Sequence, residues 1–275
     1  MRETSNPILR SLPQQQGGYA QFGTGMAGAA NQVQFQTPQQ TGVSRPLTID
    51  DVVTKTGMTL GVLSVAAVIS YFLVGTNVAL AMPLTLIGSL GGLALVLIAS
   101  FGRKQDNPAI VLSYAALEGL FLGAISWLFG NAMVQGISAG ALITQAILGT
   151  VGVFFGMLVV YKTGAIRVTP RFTRMLVASM VGVLVLMLGS FVISLFTHSP
   201  GPLRDGGTLS IIFSLVVIGI AAFSFLLDFD AADQMIRAGA PEKAAWGIAL
   251  GLTVTLVWLY LEILRLLSYF YSSDR

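Results

Sequence analysis

Residues 174–196 read RMLVASMVGVLVLMLGSFVISLF. After Arg174 the stretch carries no charge and no proline. About 20 such residues, rising 1.5 Å each, cross a hydrocarbon layer of about 30 Å. A soluble protein can bury one helix of this kind in its core, but not seven. Comparable stretches recur at 57–77, 83–101, 109–130, 139–161, 208–228 and 245–270. The expected fold class is therefore all-α: a polytopic membrane protein with seven transmembrane helices. Composition agrees, with 54% hydrophobic and 10% charged residues and a mean hydropathy of +0.79. A soluble domain carries about 25% charge. The lipid bilayer is the expected solvent.

The stretches are separated where backbone chemistry favours a break. Pro83 and Pro108 stand at first turns, where a missing N–H costs little. Ser199-Pro200-Gly201-Pro202 and Ala238-Gly239-Ala240-Pro241 divide the last three. Residues 1–50 are Gln/Gly-rich and aperiodic, as in Gln14-Gln15-Gln16-Gly17-Gly18. Such a segment buries too little apolar surface to offset its ordering entropy. It is expected to be a disordered cytoplasmic tail, with 51–275 as the transmembrane domain. Ile8, Leu9 and Leu12 do not make the apolar core of a signal peptide, so the first helix would also target the chain.

Lys and Arg set the expected topology. Arg2, Arg10, Arg45, Lys55, Arg103, Lys104, Lys162, Arg167, Arg171, Arg174, Arg237 and Lys243 fall on one side; only Arg204 and Arg275 fall on the other. The positive-inside rule then puts the N-terminus in the cytoplasm and the C-terminus outside the cell membrane. The same reading accounts for the net charge of +3 without nucleic acid.

Several chemistries are unavailable. Zero Cys excludes disulfides, thiol nucleophiles and thiolate metal sites, and the single His198 excludes paired-imidazole metal sites. His198 lies in a loop, where a surface role is the default. No Gly-x-Gly-Asp occurs, as an intramembrane aspartyl protease would need, and Lys243 is too early in the last stretch for a retinal linkage. No enzymatic activity, catalytic residue, resident metal or cofactor is expected.

Ionisable groups inside spans are costly and mark function by default. Glu262 follows a long apolar run, with Arg265 three residues on and on the same helix face. The two could form a self-contained pair, or Glu262 could face the bundle centre as part of an ion or proton path. Asp228, Asp230 and Asp233 close the sixth stretch. At about 100° per residue, Asp228 points about 140° away from Asp233. At least one of Asp228 and Asp230 is expected to face inward, and Asp233 to be solvated. Glu118 sits beside Gly119 and Gly123, a spacing that lets helices approach closely. It reads equally as a cross-helix hydrogen bond or a supporting functional group. Gly152/Gly156 and Gly247/Gly251 repeat that spacing as packing marks.

Leu117-Glu118-Gly119-Leu120, Phe229-Asp230 and Leu259-Tyr260-Leu261-Glu262-Ile263-Leu264 together resemble the Bax inhibitor-1/YccA family, also called the transmembrane Bax inhibitor motif family. The likeness covers roughly 50–270. The long tail looks like that of an actinobacterial-type branch. The resemblance implies six helices around a central seventh. It also implies an acidic pair, one member each from helices six and seven, gating a calcium leak. Asp230 matches the helix-six residue and Glu262 the helix-seven residue, with Asp228 a rival to Asp230; Glu118 and Arg265 are supporting candidates. Two departures stand out. Glu262 replaces the family's usual Asp, and 31 residues (231–261) separate the two acids. On a hairpin about Ala240, Asp230 and Glu262 differ in depth by about 18 Å unless a helix is kinked or tilted.

The expected function is a pH-sensitive calcium (cation) leak channel, with Ca²⁺ bound transiently. Two side chains cannot supply the six or more oxygens calcium prefers, and weak binding suits conduction. A competing expectation is a non-conducting regulator that binds a membrane-protein partner, such as a membrane protease, through the tail. A third is a proton-coupled transporter, against which the absence of visible inverted halves counts.

Overall fold

The computed structural model describes residues 45–133, 138–197, 201 and 203–273. His198 and most of the 1–50 tail lie outside these. Seven long helices follow in order: α1 (Ile49–Thr76), α2 (Ala81–Phe101), α3 (Pro108–Trp127), α4 (Ala139–Thr163), α5 (Pro170–Thr197), α6 (Thr208–Arg237) and α7 (Ala244–Ser273). All seven are long and apolar enough to cross a membrane. This is a multi-pass, all-α membrane protein.

Several helices outrun their apolar stretches because polar caps start or stop them. α1 begins at Ile49, not at residue 57. Thr48 accepts from the Asp51 amide, and the Asp51 carboxylate accepts from the Thr48 amide in return. Asn107 caps α3 ahead of Pro108. Thr169 caps the Phe172 amide at the start of α5, so the helix opens at Pro170 and takes Arg171 and Arg174 into its first turns. α6 continues nine residues past 228, through Ala231 and Ala232, to Arg237. Gly239, at φ 65°, then turns the chain in a left-handed conformation that a Cβ would resist. At 30 residues α6 is about 45 Å long, well beyond the hydrocarbon core.

α7 is the central helix. Its apolar window is 56% buried, against 17% for α5, and it packs on α1, α3, α4 and α6. α2 packs chiefly on α3, and α5 on α6. The ring around α7 is therefore uneven, with α2 and α5 on its outside.

Gly119 and Gly123 bring α3 onto α1. A Cβ at either would meet the Leu63 or Ala67 carbonyl. Gly88 does the same for α2, where a Cβ would lie 2.7 Å from the Phe121 amide nitrogen. The Gly152/Gly156 spacing, by contrast, meets nothing within 4 Å.

One end of the bundle gathers the starts of α1 and α7 and the ends of α4 and α6. Lys55 lies 5.1 Å over the Trp246 ring, and the Tyr161 hydroxyl reaches Asp233. The chain just before α1 is fastened to the α6–α7 turn at this end. The Leu47 amide donates to the Ala240 carbonyl at 2.8 Å, and the Glu242 amide to the Arg45 carbonyl at 2.9 Å. Leu47 is buried there against the α6–α7 hairpin.

Candidate functional site

The inward face of α7 carries two polar levels. Thr255 and Glu262 are seven residues apart. That is about two turns, so they share a face about 10 Å apart along the axis.

At the first level the Thr255 hydroxyl donates to Asp228 Oδ2 at 2.7 Å, joining α7 to α6. Asp228 is half-buried. Gly251, one turn earlier, leaves room beside it; a Cβ there would lie 3.9 Å from Asp228 Oδ1.

At the second level Glu262 is 2% exposed. Its Oε1 accepts from Arg265 Nη1 at 2.6 Å and lies 3.5 Å from Arg204 Nη2, a residue of the α5–α6 turn. Its Oε2 is buried with no hydrogen-bond partner. Ser268 donates to the Arg265 carbonyl. Beside this cluster lies a cavity of about 330 Å³, walled by Arg204, Arg265, Tyr269 and Phe129 among others. Between the two levels, the Tyr260 hydroxyl meets Ser126 on α3 at 2.8 Å.

The other predicted residues lie elsewhere. Asp230 does not face Glu262. Its Oδ2 accepts from Gln234 Nε2 at 2.6 Å, on its own helix and toward solvent. Asp233 pairs with Arg237 at 2.9 Å. Phe229, just before Asp230, is buried in an aromatic cluster with Phe154, Phe225 and Tyr161.

The helix-six carboxylate turned to α7 is thus Asp228, and the expected Asp230–Glu262 pair is not formed. The cause is hairpin depth. Asp228 and Thr255 stand at matched distances from the α6–α7 turn, and Glu262 lies two turns deeper. The α6 residue at that depth is near Ala221, which is fully buried in the same apolar cluster as Leu259.

Of the two readings of Arg265, the ion pair with Glu262 is present, with Arg204 as a second cation. Glu118 projects toward α2, where a Cβ on Gly92 would lie 2.8 Å from its Oε1. Tyr114 is its hydrogen-bond partner, and its Oε2 is buried without one. It meets neither level of α7 directly.

Sequence reasoning passed over Thr255 and Arg204. Thr255 left a faint signal, a hydroxyl inside an apolar run on the same helical face as Glu262. Arg204 left none, because its reach to Glu262 depends on the path of the α5–α6 turn.

The sequence profile of a family described as "Bax inhibitor 1 like" matches residues 6–272, nearly the whole chain. The chain belongs to this family. A relative from Chlamydia muridarum (strain MoPn / Nigg), named "Uncharacterized protein", is 31% identical over 101 residues. That match covers 36% of this chain and 40% of the relative, well under half of either. Within the Bax inhibitor 1 like family, the chain thus combines a central α7 with two polar levels. One is a carboxylate held by a hydroxyl, the other a carboxylate held by two guanidiniums.

Proposed function

We propose that this Bax inhibitor 1 like protein is a pH-sensitive cation leak that passes Ca²⁺ along the inward face of α7. The observation that carries this reading is Glu262, a carboxylate buried at the bundle centre with one oxygen unpartnered. A buried charge is kept only where it is paired or used. Asp228 and Thr255 offer oxygens to a hard cation at the first level. They are too few to strip its water, so a cation pauses there and moves on. At the second level Arg204 and Arg265 stand on Glu262 and repel a cation. This is the closed gate.

Protonating Glu262 removes the charge that holds both guanidiniums. Arg204 and Arg265 are about one-fifth exposed and can turn to water. Leak is therefore expected to rise with acid at the Glu262 end. The groups facing Glu262 are these two arginines, with Tyr269 and Asp205 on the adjoining cavity wall. The Lys/Arg-rich end is assigned to the cytoplasm.

Flux into dye-loaded vesicles tests the reading, across the range of about pH 5 to 8 where folded proteins are most stable. Protein-dependent calcium entry that rises on acidification supports it. No flux at any pH in that range ends it and leaves the non-conducting regulator. Topology is checked separately. The chain has no cysteine, so single Gln105→Cys and Thr208→Cys variants report sidedness cleanly. Labelling of Thr208→Cys alone by an impermeant reagent outside the cell is the expected result.

A further inference from the structure

Arg204 stands between two cavities. Its Nη2 lies 3.5 Å from Glu262 Oε1, beside the first. Its Nη1 is buried and has no hydrogen-bond partner. The second cavity, about 250 Å³, is lined by Met187, Ser190, Phe191, Ser194 and Arg204. Ser190, 8% exposed, also has a buried hydroxyl without a partner. Ser194 is committed, donating to the Phe191 carbonyl at 2.7 Å. Among the described residues, the second cavity is lined by no carboxylate, and two of its lining residues, Arg204 and Ser190, each carry a buried donor without a partner. Burying a donor without an acceptor costs about 1–3 kcal/mol. Arg204 is also the looser of the two partners of Glu262. Glu262 is one carboxylate shared by two arginines, and Arg265 holds it more closely, at 2.6 Å against 3.5 Å.

The surroundings choose among anions. α5 packs chiefly on α6 and exposes Leu188, Phe191 and Leu195 at 55%, 60% and 60%. Phe191 is thus both a wall of the cavity and a lipid-facing side chain. Ser190 is seven residues from the end of α5 at Thr197. It lies about 10 Å from that end, near the edge of the hydrocarbon layer, since a helix of 28 residues overshoots the layer.

We propose that the cavity between α5 and the α5–α6 turn binds the headgroup phosphate of an anionic phospholipid. Arg204 Nη1 and the Ser190 hydroxyl donate to the phosphate oxygens, a pairing guanidinium geometry favours. The acyl chains lie along Met187, Phe191 and the exposed face of α5. With no carboxylate in the wall, a choline headgroup finds no counter-charge. The lipid class is thus set by net charge. This site does not depend on the leak reading.

Native mass spectrometry of the full chain in neutral detergent tests it, with phosphatidylglycerol and phosphatidylcholine of equal chain length. The protein is expected to retain one phosphatidylglycerol and to discriminate against phosphatidylcholine. Ser190→Ala removes one charge-assisted hydrogen bond and should weaken retention about tenfold, the equivalent of about 1.4 kcal/mol. Met187→Trp, which fills the cavity, should abolish it, and Arg204→Lys should keep most of it. Thermal midpoints of the same samples show whether each variant is folded; Ser190→Ala loses only a hydroxyl and should melt as the parent does. Equal retention of both lipids, or unchanged retention in Ser190→Ala and Met187→Trp, overturns the proposal. Displacement of phosphatidylglycerol by inorganic phosphate at equal concentration also overturns it, since the occupant would then be a free anion.

Discussion

The two carboxylates on the inner side of the α6–α7 hairpin are treated in opposite ways. Glu262 is almost sealed from solvent and has two guanidiniums on one oxygen. Asp228 is half-buried and has a single hydroxyl. A carboxylate pinned by cations cannot readily accept a third cation. One held by a hydroxyl keeps most of its lone pairs free. The contrast separates a residue that could close a path from one that could stock it. On the proposed reading a pair of acids is not needed for pH sensitivity, since one acid and its arginines would form a titratable lock.

The largest effect should follow from Glu262→Gln. Removing one member of a buried ion cluster leaves the others uncompensated, typically at about 3–5 kcal/mol. With both arginines partly exposed, the lower end, about 3 kcal/mol, is expected. Thermal unfolding in detergent measures it. In vesicles the same variant should lose most of its pH dependence, and a profile identical to the parent's would end the lock.

Next come the two arginines, which should not be equal. Arg265 is hydrogen-bonded at 2.6 Å and Arg204 stands at 3.5 Å. Arg265→Gln is expected to cost about 2 kcal/mol and Arg204→Gln about half that, the range of a charge-assisted hydrogen bond against a looser contact. Equal losses would mean that Arg204 moves onto Glu262 in solution.

Thr255→Val removes the hydroxyl from Asp228 at nearly constant shape. The expected loss is about 1.5 kcal/mol, modest because Asp228 retains access to water. Calcium flux should fall while its pH profile keeps its shape, since the lock is untouched. Asp230→Asn should change stability and flux little, because the Asp230 carboxylate is hydrogen-bonded to Gln234 on its own helix, away from α7. A pH shift in Asp230→Asn but not in Asp228→Asn would reverse the assignment made here.

The smallest effect concerns Asp205, at the Glu262 end but outside the spans. The Ser210 hydroxyl, and then the Gly207 amide, hold its carboxyl below the usual carboxylate value. A lowered folded-state value gives stability that is present above the unfolded value of about 3.9. It is lost as pH falls through the lower folded value. Asp205→Asn should lower the neutral region of a melting-temperature profile slightly and flatten its acid limb, the two proteins converging at low pH. No change in the acid limb would mean that the turn is not ordered by this carboxylate.

The seven spans and their apolar character were legible in the chain alone, because hydropathy and capping are local. Arg174–Phe196 needs no neighbour to be read as a span; the Thr48–Asp51 cap of α1 is as local, within one turn, though the span was placed from residue 57. The shared face of Glu262 and Arg265 was legible too, since three residues along a helix fix a direction. The Gly119/Gly123 approach was visible as spacing, though not the partner, α1. The depth mismatch of Asp230 and Glu262 on a hairpin about Ala240 was legible as well, but which α6 carboxylate turns to α7 was decided only in three dimensions. It depends on where α6 stops, and Gly239 rather than the last apolar residue ends it. That choice lengthens the α6 arm of the hairpin and sets Asp228 beside Thr255, with Glu262 two turns beyond. The reach of Arg204 was decided the same way. A loop arginine becomes the partner of a central glutamate only when the turn carrying it folds back over the bundle, and no local pattern encodes that distance.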